Sequence, residues 1–102
     1  MVIIVFRMDI IYGKPMTCAE IAPAIFGKPV VAGAKQLRKA LQSGAAQAVY
    51  LAVDADPALT EPIVKLCQLN SVDAFWVTSM AELGKVCGID VGASVAATLK
   101  SI

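Results

Sequence analysis

The sequence predicts an α/β protein, a three-layer α/β/α sandwich around a small mixed four-stranded sheet. Three observations point to it. Apolar runs of strand length at residues 29–32, 48–53, 74–77 and 94–99 alternate with segments whose apolar residues recur at helical spacing. The run at 48–53, Ala-Val-Tyr-Leu-Ala-Val, has almost no polar member, as a strand covered on both faces requires. Capping residues and glycines punctuate the helices at short intervals, so the connections are turns rather than linkers, and 102 residues make one domain.

Taken in order, residues 1–15 form an apolar leader carrying Arg7, Asp9 and Lys14 ahead of Met16. An extra edge strand is the preferred expectation for it, with a cloning or start-site artefact as the alternative; the domain proper is 16–102. Thr17, with Glu20 three residues on, reads as a capping box opening a helix over 17–26 despite Pro23. Gly33 follows the strand at 29–32 and opens a basic helix that Gly44 ends. Asp54-Ala55-Asp56-Pro57 breaks the central strand, and Thr60 with Pro62 in the next turn predicts a helix to about Leu69. After the strand at 74–77, Ser79-Met80-Ala81-Glu82 reads as a second capping box, and Gly88 closes its helix before the last strand.

An apolar fraction of 58% and a mean hydropathy of +0.71 raise the question of a membrane span. The longest uncharged run, residues 40–53, is interrupted by Gln42, Ser43 and Gln47 and falls short of the roughly 20 residues a spanning helix needs. The N-terminal Val-Ile-Ile-Val-Phe is too brief for a secretory signal and has no basic n-region. A cytoplasmic protein with no membrane partner is expected. Cys18, Cys67 and Cys87 are scattered, lack C-x-x-C spacing and have no histidine to accompany them, so they read as small buried hydrophobes rather than a zinc or redox site. The absence of histidine also removes every Ser/His or Cys/His nucleophile pair.

A net charge of +1 argues against a nonspecific nucleic-acid coat, but the charge is unevenly distributed. Lys28, Lys35, Arg38 and Lys39 fall within twelve residues that contain no acid. In the helix after Gly33, positions 35, 38, 39 and 42 follow i, i+3, i+4, i+7 spacing, which puts Lys35, Arg38, Lys39 and Gln42 on one polar face with Leu37, Ala40 and Leu41 inward. Such a face suits an anionic polymer, and the helix N-terminus adds unpaired N–H groups and the positive end of its dipole.

Three other function classes match parts of the sequence. Gly27-Lys28 and Gly33-Ala34-Lys35 evoke a phosphate- or nucleotide-binding loop, but the spacing departs from a P-loop and no hydroxyl stands ready for magnesium. Asp54 and Asp56 after a strand resemble a metal-dependent phosphoryl-transfer pair, against which turn and helix-start chemistry is the simpler account. A protein-interaction module, dimerising through residues 1–15 by strand addition, explains the apolar leader but not the basic helix. No catalytic residue, metal ligand or cofactor is expected.

From Gly33 to Leu99 the chain resembles the L7Ae family of ribosomal proteins and its small bacterial relatives, which bind kink-turn RNA. The resemblance rests on three features in order: Gly33-Ala34-Lys35-Gln36 with Lys39 after it; Val53-Asp54-Ala55-Asp56-Pro57; and Leu83-Gly84-Lys85-Val86-Cys87-Gly88-Ile89-Asp90-Val91-Gly92-Ala93. It implies that the glycine-led helix start enters the widened groove at a kink, where Lys35 and Gln36 reach the guanines of tandem sheared G·A pairs and Lys39 supports the backbone. Arg38 shares that face. The loop Ile89-Asp90-Val91 is implied to cover the extruded base, and Lys85 is either a phosphate contact or simply an exposed helix position. The bend matters because A-form RNA hides its base edges until an internal loop opens the groove. The Lys-Gln pair matches the bacterial branch; archaeal and eukaryotic members usually carry Asn-Glu. Ala34 replaces a frequent Thr, and Asp73 stands where Pro is common. Ribosomal RNA is the implied partner, bound without catalysis.

Overall fold

The computed structural model describes residues 11–89 and 91–100. In chain order the elements are β1 (Ile11–Met16), α1 (Cys18–Ile25), β2 (Val30–Ala32), α2 (Ala34–Ser43), β3 (Ala46–Ala52), α3 (Pro57–Leu69), β4 (Asp73–Val77), α4 (Met80–Cys87) and β5 (Val95–Leu99). They form an α/β fold with one mixed sheet, ordered β1-β4-β3-β5-β2, and four helices. β1, β4 and β3 run parallel, while β5 is antiparallel to both β3 and β2.

The sheet has five strands, not the four expected of residues 16–102. The fifth is β1, which pairs with β4 through Ile11↔Ala74, Tyr12↔Phe75 and Met16↔Val77, with an irregularity between Tyr12 and Met16. Gly13, Lys14 and Pro15 lie in that interval, and a proline without an N–H donor is tolerated because, among the described residues, β1 has a neighbour on one side only. The rest of the leader, residues 1–10, lies outside the described residues.

β3 organises the core by its period of two. Val49 and Leu51 face a cluster with Leu37 and Leu41 of α2 and Ile63 and Cys67 of α3. Tyr50 and Ala52 face a second cluster, with Ile21 and Ile25 of α1 and Leu83 of α4. A register shift between Ala46 and Ala48 places Ala46 in the first cluster and Ala48 against the second. Leu37, Val49, Leu51, Ile63 and Leu83 are fully buried, each contributing about 1.5–3 kcal/mol of transfer free energy. Tyr50 and Phe75, paired across β3 and β4, stack with centroids 5.5 Å apart.

The helix starts follow their capping chemistry, with two departures from expectation. Thr17 and Glu20 form the full reciprocal box at α1. At α3 the cap is Asp56 rather than Thr60: its Oδ1 accepts the Ala58 N–H at 3.0 Å, and Pro57 suits the first turn, where no N–H is needed. Thr60 is therefore inside the helix and buried, and Pro62 lies within it. At α4 the Ser79 hydroxyl accepts the Glu82 N–H at 3.1 Å, but the Glu82 carboxylate does not complete a box; it accepts the Cys18 N–H at 2.7 Å and ties α4 to the start of α1. Among the described residues, no helix is long and apolar enough to cross a membrane.

Candidate nucleic-acid interface

β2 and β3 run in the same direction, so the turn into α2 and the turn into α3 emerge at one end of the sheet, and the chain enters β5 from that end. Ligands of open α/β sheets settle at this carboxyl end. Gly33 begins the surface there. Its φ of 101° belongs to glycine, and its N–H donates to the Val95 carbonyl at 3.0 Å, fixing the start of α2 against the entry to β5. α1, α3 and α4 are capped by the side chains of Thr17, Asp56 and Ser79; no side chain caps α2, and its first turn holds no acid. The first-turn amides and the dipole of α2 are thus left for an external acceptor.

Lys35, Gln36, Arg38, Lys39 and Gln42 are exposed, whereas Leu37, Ala40 and Leu41 are buried, so the polar face expected from spacing exists as such. Ile89 and Val91 are 38% and 73% exposed, large apolar side chains left in solvent. Asp90 lies outside the described residues. Lys85 is exposed on α4, the helix whose buried residues pack on the opposite sheet face from α2.

The two segments singled out by sequence meet in one groove of about 300 Å³. Ala32, Gly33 and Ala34 line it from one segment, Ile89, Gly92, Ala93 and Ser94 from the other, and Leu59 of α3 completes the lining. Lys35 and Gln36 stand on the first turn of α2, next in the chain to Gly33 and Ala34. Lys35, Gln36, Arg38, Lys39, Lys85 and Val91 do not line the groove itself. Sequence assigned no role to Ala32, Leu59, Gly92, Ala93 or Ser94, although Gly92 and Ala93 belong to the third matching segment; Leu59 escaped because α3 begins three residues before the position expected to start it.

Close packing sets the position of the second segment. A Cβ on Gly84 would collide with the Val91 carbonyl oxygen, and one on Gly92 would come within 3.0 Å of the Met80 Cβ. Ile89 N–H donates to Gly84 O, and Ala93 N–H to Met80 O, each at 3.0 Å, so α4 holds the loop at both ends. Asp54 in turn accepts the Met80 N–H at 2.8 Å. Asp54 and Asp56 each bind a helix-start amide, and among the described residues no group of three or more His, Cys, Asp or Glu could hold a metal ion.

The model of the ribosomal protein L7Ae/L30e/S12e/Gadd45 family matches residues 23–101. The chain belongs to that family. Relatives of the L7Ae/L30e/S12e/Gadd45 type include an RNA-binding protein of Bacillus pumilus, 46% identical over 70 residues that cover 69% of this chain and 85% of that protein. The RNA-binding protein YbxF of Geobacillus stearothermophilus is 39% identical over 71 residues, 70% of this chain and 87% of the relative. Among solved structures, the 15.5kD RNA binding protein of Giardia lamblia superposes with a TM-score of 0.69 at 26% identity, covering 82% of this chain and 68% of that one. A Bacillus halodurans protein of unknown function, at 21% identity and a TM-score of 0.67 over 82% of this chain and 81% of its own, shares the fold.

Proposed function

We propose that this protein is a noncatalytic RNA-binding protein that recognises and stabilises kink-turn RNA in the cytoplasm, on ribosomal RNA or another structured RNA. The observation that carries this proposal is the groove shared by the start of α2 and the 89–94 loop, because one bent RNA elbow has to touch both. The names of the relatives, RNA-binding proteins of several bacteria, support the class of partner.

In this assignment the Gly33 and Ala34 backbone and the first-turn amides of α2 receive the RNA where the groove opens. Lys35 donates to guanine O6 and N7, and Gln36, with one amide donor group and one acceptor, reads the adjoining base edge. Arg38 and Lys39, one turn further along the exposed face, take backbone phosphates, as does Lys85 on α4. Ile89 and Val91, together with Asp90 of the same loop, cover the base that has lost its stacking neighbours. Binding favours the bent member of an RNA ensemble that exists without the protein. Residues 1–15 are assigned to self-association through the sheet edge at β1, which gel filtration with and without them tests.

The deciding experiment is a titration with a standard kink-turn and with a control lacking its G·A pairs. Binding tighter to the kink-turn by at least on the order of tenfold supports the assignment, and equal affinities overturn it.

A further inference from the structure

A second groove, of about 440 Å³, opens on the other side of the first turn of α3. Leu59 lines the first groove while Pro57 and Thr60 line the second, so a single helical turn separates them. Its wall is apolar, formed by Val53, Val64 and Trp76, and Trp76 is the only tryptophan of the chain. Besides Thr60, its polar members Glu61, Lys65 and Gln68 come from one face of α3 at i, i+4 and i+7. Glu61 and Lys65 are exposed, and Val53 is 50% exposed, high for a large aliphatic side chain beside a strand end.

We infer that this groove takes an unpaired nucleobase of the same RNA, from the strand that leaves the first groove. Tryptophan is a side chain on which any base can stack, whatever its sequence. A carboxylate, an ammonium and a carboxamide ranged along the rim match what a nucleotide presents: N–H donors and carbonyl acceptors on the base edge, and a phosphate beside it. Lys65 supplies the charge complementarity to that phosphate. The inference rests on the RNA-binding proposal above and adds a contact to single-stranded RNA flanking the kink, by which the protein tells an extended site from a bare one.

The test compares a blunt kink-turn RNA with the same RNA carrying a short single-stranded extension on one strand end or the other. Because Trp76 is alone, intrinsic fluorescence reports directly on stacking. Quenching is expected with one of the extended RNAs and not with the blunt one. Trp76→Leu is expected to weaken the extended RNA by on the order of tenfold and leave the blunt RNA unaffected, with Trp76→Phe retaining most of the gain. Since Trp76 also packs against the core cluster under α3, Lys65→Gln at an exposed position is the second variant, expected to cost the extended RNA a few-fold and to reduce its salt dependence alone. Equal affinity of blunt and extended RNAs with unchanged fluorescence overturns this inference and leaves the kink-turn assignment standing. Failure of every RNA to bind overturns that assignment first. Quenching by a nucleoside monophosphate with no gain from attachment to the RNA assigns the groove to a mononucleotide and also overturns the inference.

Discussion

The carbonyl oxygen of Val91 lies where a side chain on Gly84 would begin, so helix α4 and the loop that follows it touch backbone to backbone. This contact sets how far Ile89 and Val91 stand from the start of α2. Gly84→Ala is expected to push the loop outward, costing about 1–3 kcal/mol of stability through overpacking and lowering RNA affinity beyond what the stability loss explains. Thermal unfolding and RNA titration of the same variant separate the two effects. Unchanged affinity would show that the position of the loop does not matter to binding.

Lys35 is the side chain on which base recognition most depends in the proposed interface. Lys35→Ala is expected to weaken kink-turn binding by about 1–3 kcal/mol and to narrow the gap between the kink-turn and the control lacking G·A pairs. Lys39→Ala is expected to weaken both RNAs alike and to lower the salt slope by about one, as loss of a phosphate contact does. If the two variants behave identically, the division of labour on α2 is wrong.

Ile89 and Val91 are large apolar side chains in solvent, an arrangement the fold does not need. Val91→Asp is expected to reduce affinity by on the order of tenfold with folding stability held within about 0.5 kcal/mol, and Ile89→Asp to reduce affinity likewise at a larger cost in stability, since Ile89 is 38% exposed against 73% for Val91. Circular dichroism provides the control, since loss of fold in Val91→Asp would place that residue in the core.

Glu82 links stability to pH. The hydrogen bond from the Cys18 amide, aided by the nearby Lys85 charge, holds its carboxyl below the ordinary glutamate range against a smaller opposing effect of desolvation. A carboxyl with a depressed pKa in the folded state stabilises above its unfolded pKa, and that contribution disappears as pH falls through the folded value. Glu82→Gln is therefore expected to melt below the parent at neutral pH and to converge with it as the pH falls below the ordinary glutamate range and through the lowered folded value. A constant difference in melting temperature across that range would show that the carboxylate charge is not what holds α1 to α4.

Much of this protein was legible along the chain because its signals are local. The face of α2 follows from residue spacing alone, and Leu37, Ala40 and Leu41 are buried beneath exposed Lys35, Arg38 and Lys39 as that spacing requires. Thr17 and Glu20 close their box for the same reason: both partners lie within one turn. Where two signals competed nearby, the order of the chain misled. Asp56-Pro57 and Thr60-Pro62 are both acceptable helix starts, and the earlier one prevails by capping at Asp56 and burying Thr60 in the helix.

Tertiary structure decided whatever depends on partners distant in sequence. Glu82 spends its carboxylate on Cys18, sixty-four residues away, rather than on its own helix start. The breaker-rich stretch Gly13-Lys14-Pro15 becomes part of a fifth strand because β4 is there to pair with it. The sequence by itself determined the alternation of helices and strands, the cationic face of α2 and the membership of the family. That Gly33 and Ile89 line one groove, with Leu59 between them and Trp76 in another groove across one turn of α3, was decided only when β5 paired beside β2 and β3 and brought three separate turns to one end of the sheet. Hydrophobic periodicity and capping act over a few residues, whereas a groove is made by chain segments that meet only after the sheet has chosen its order.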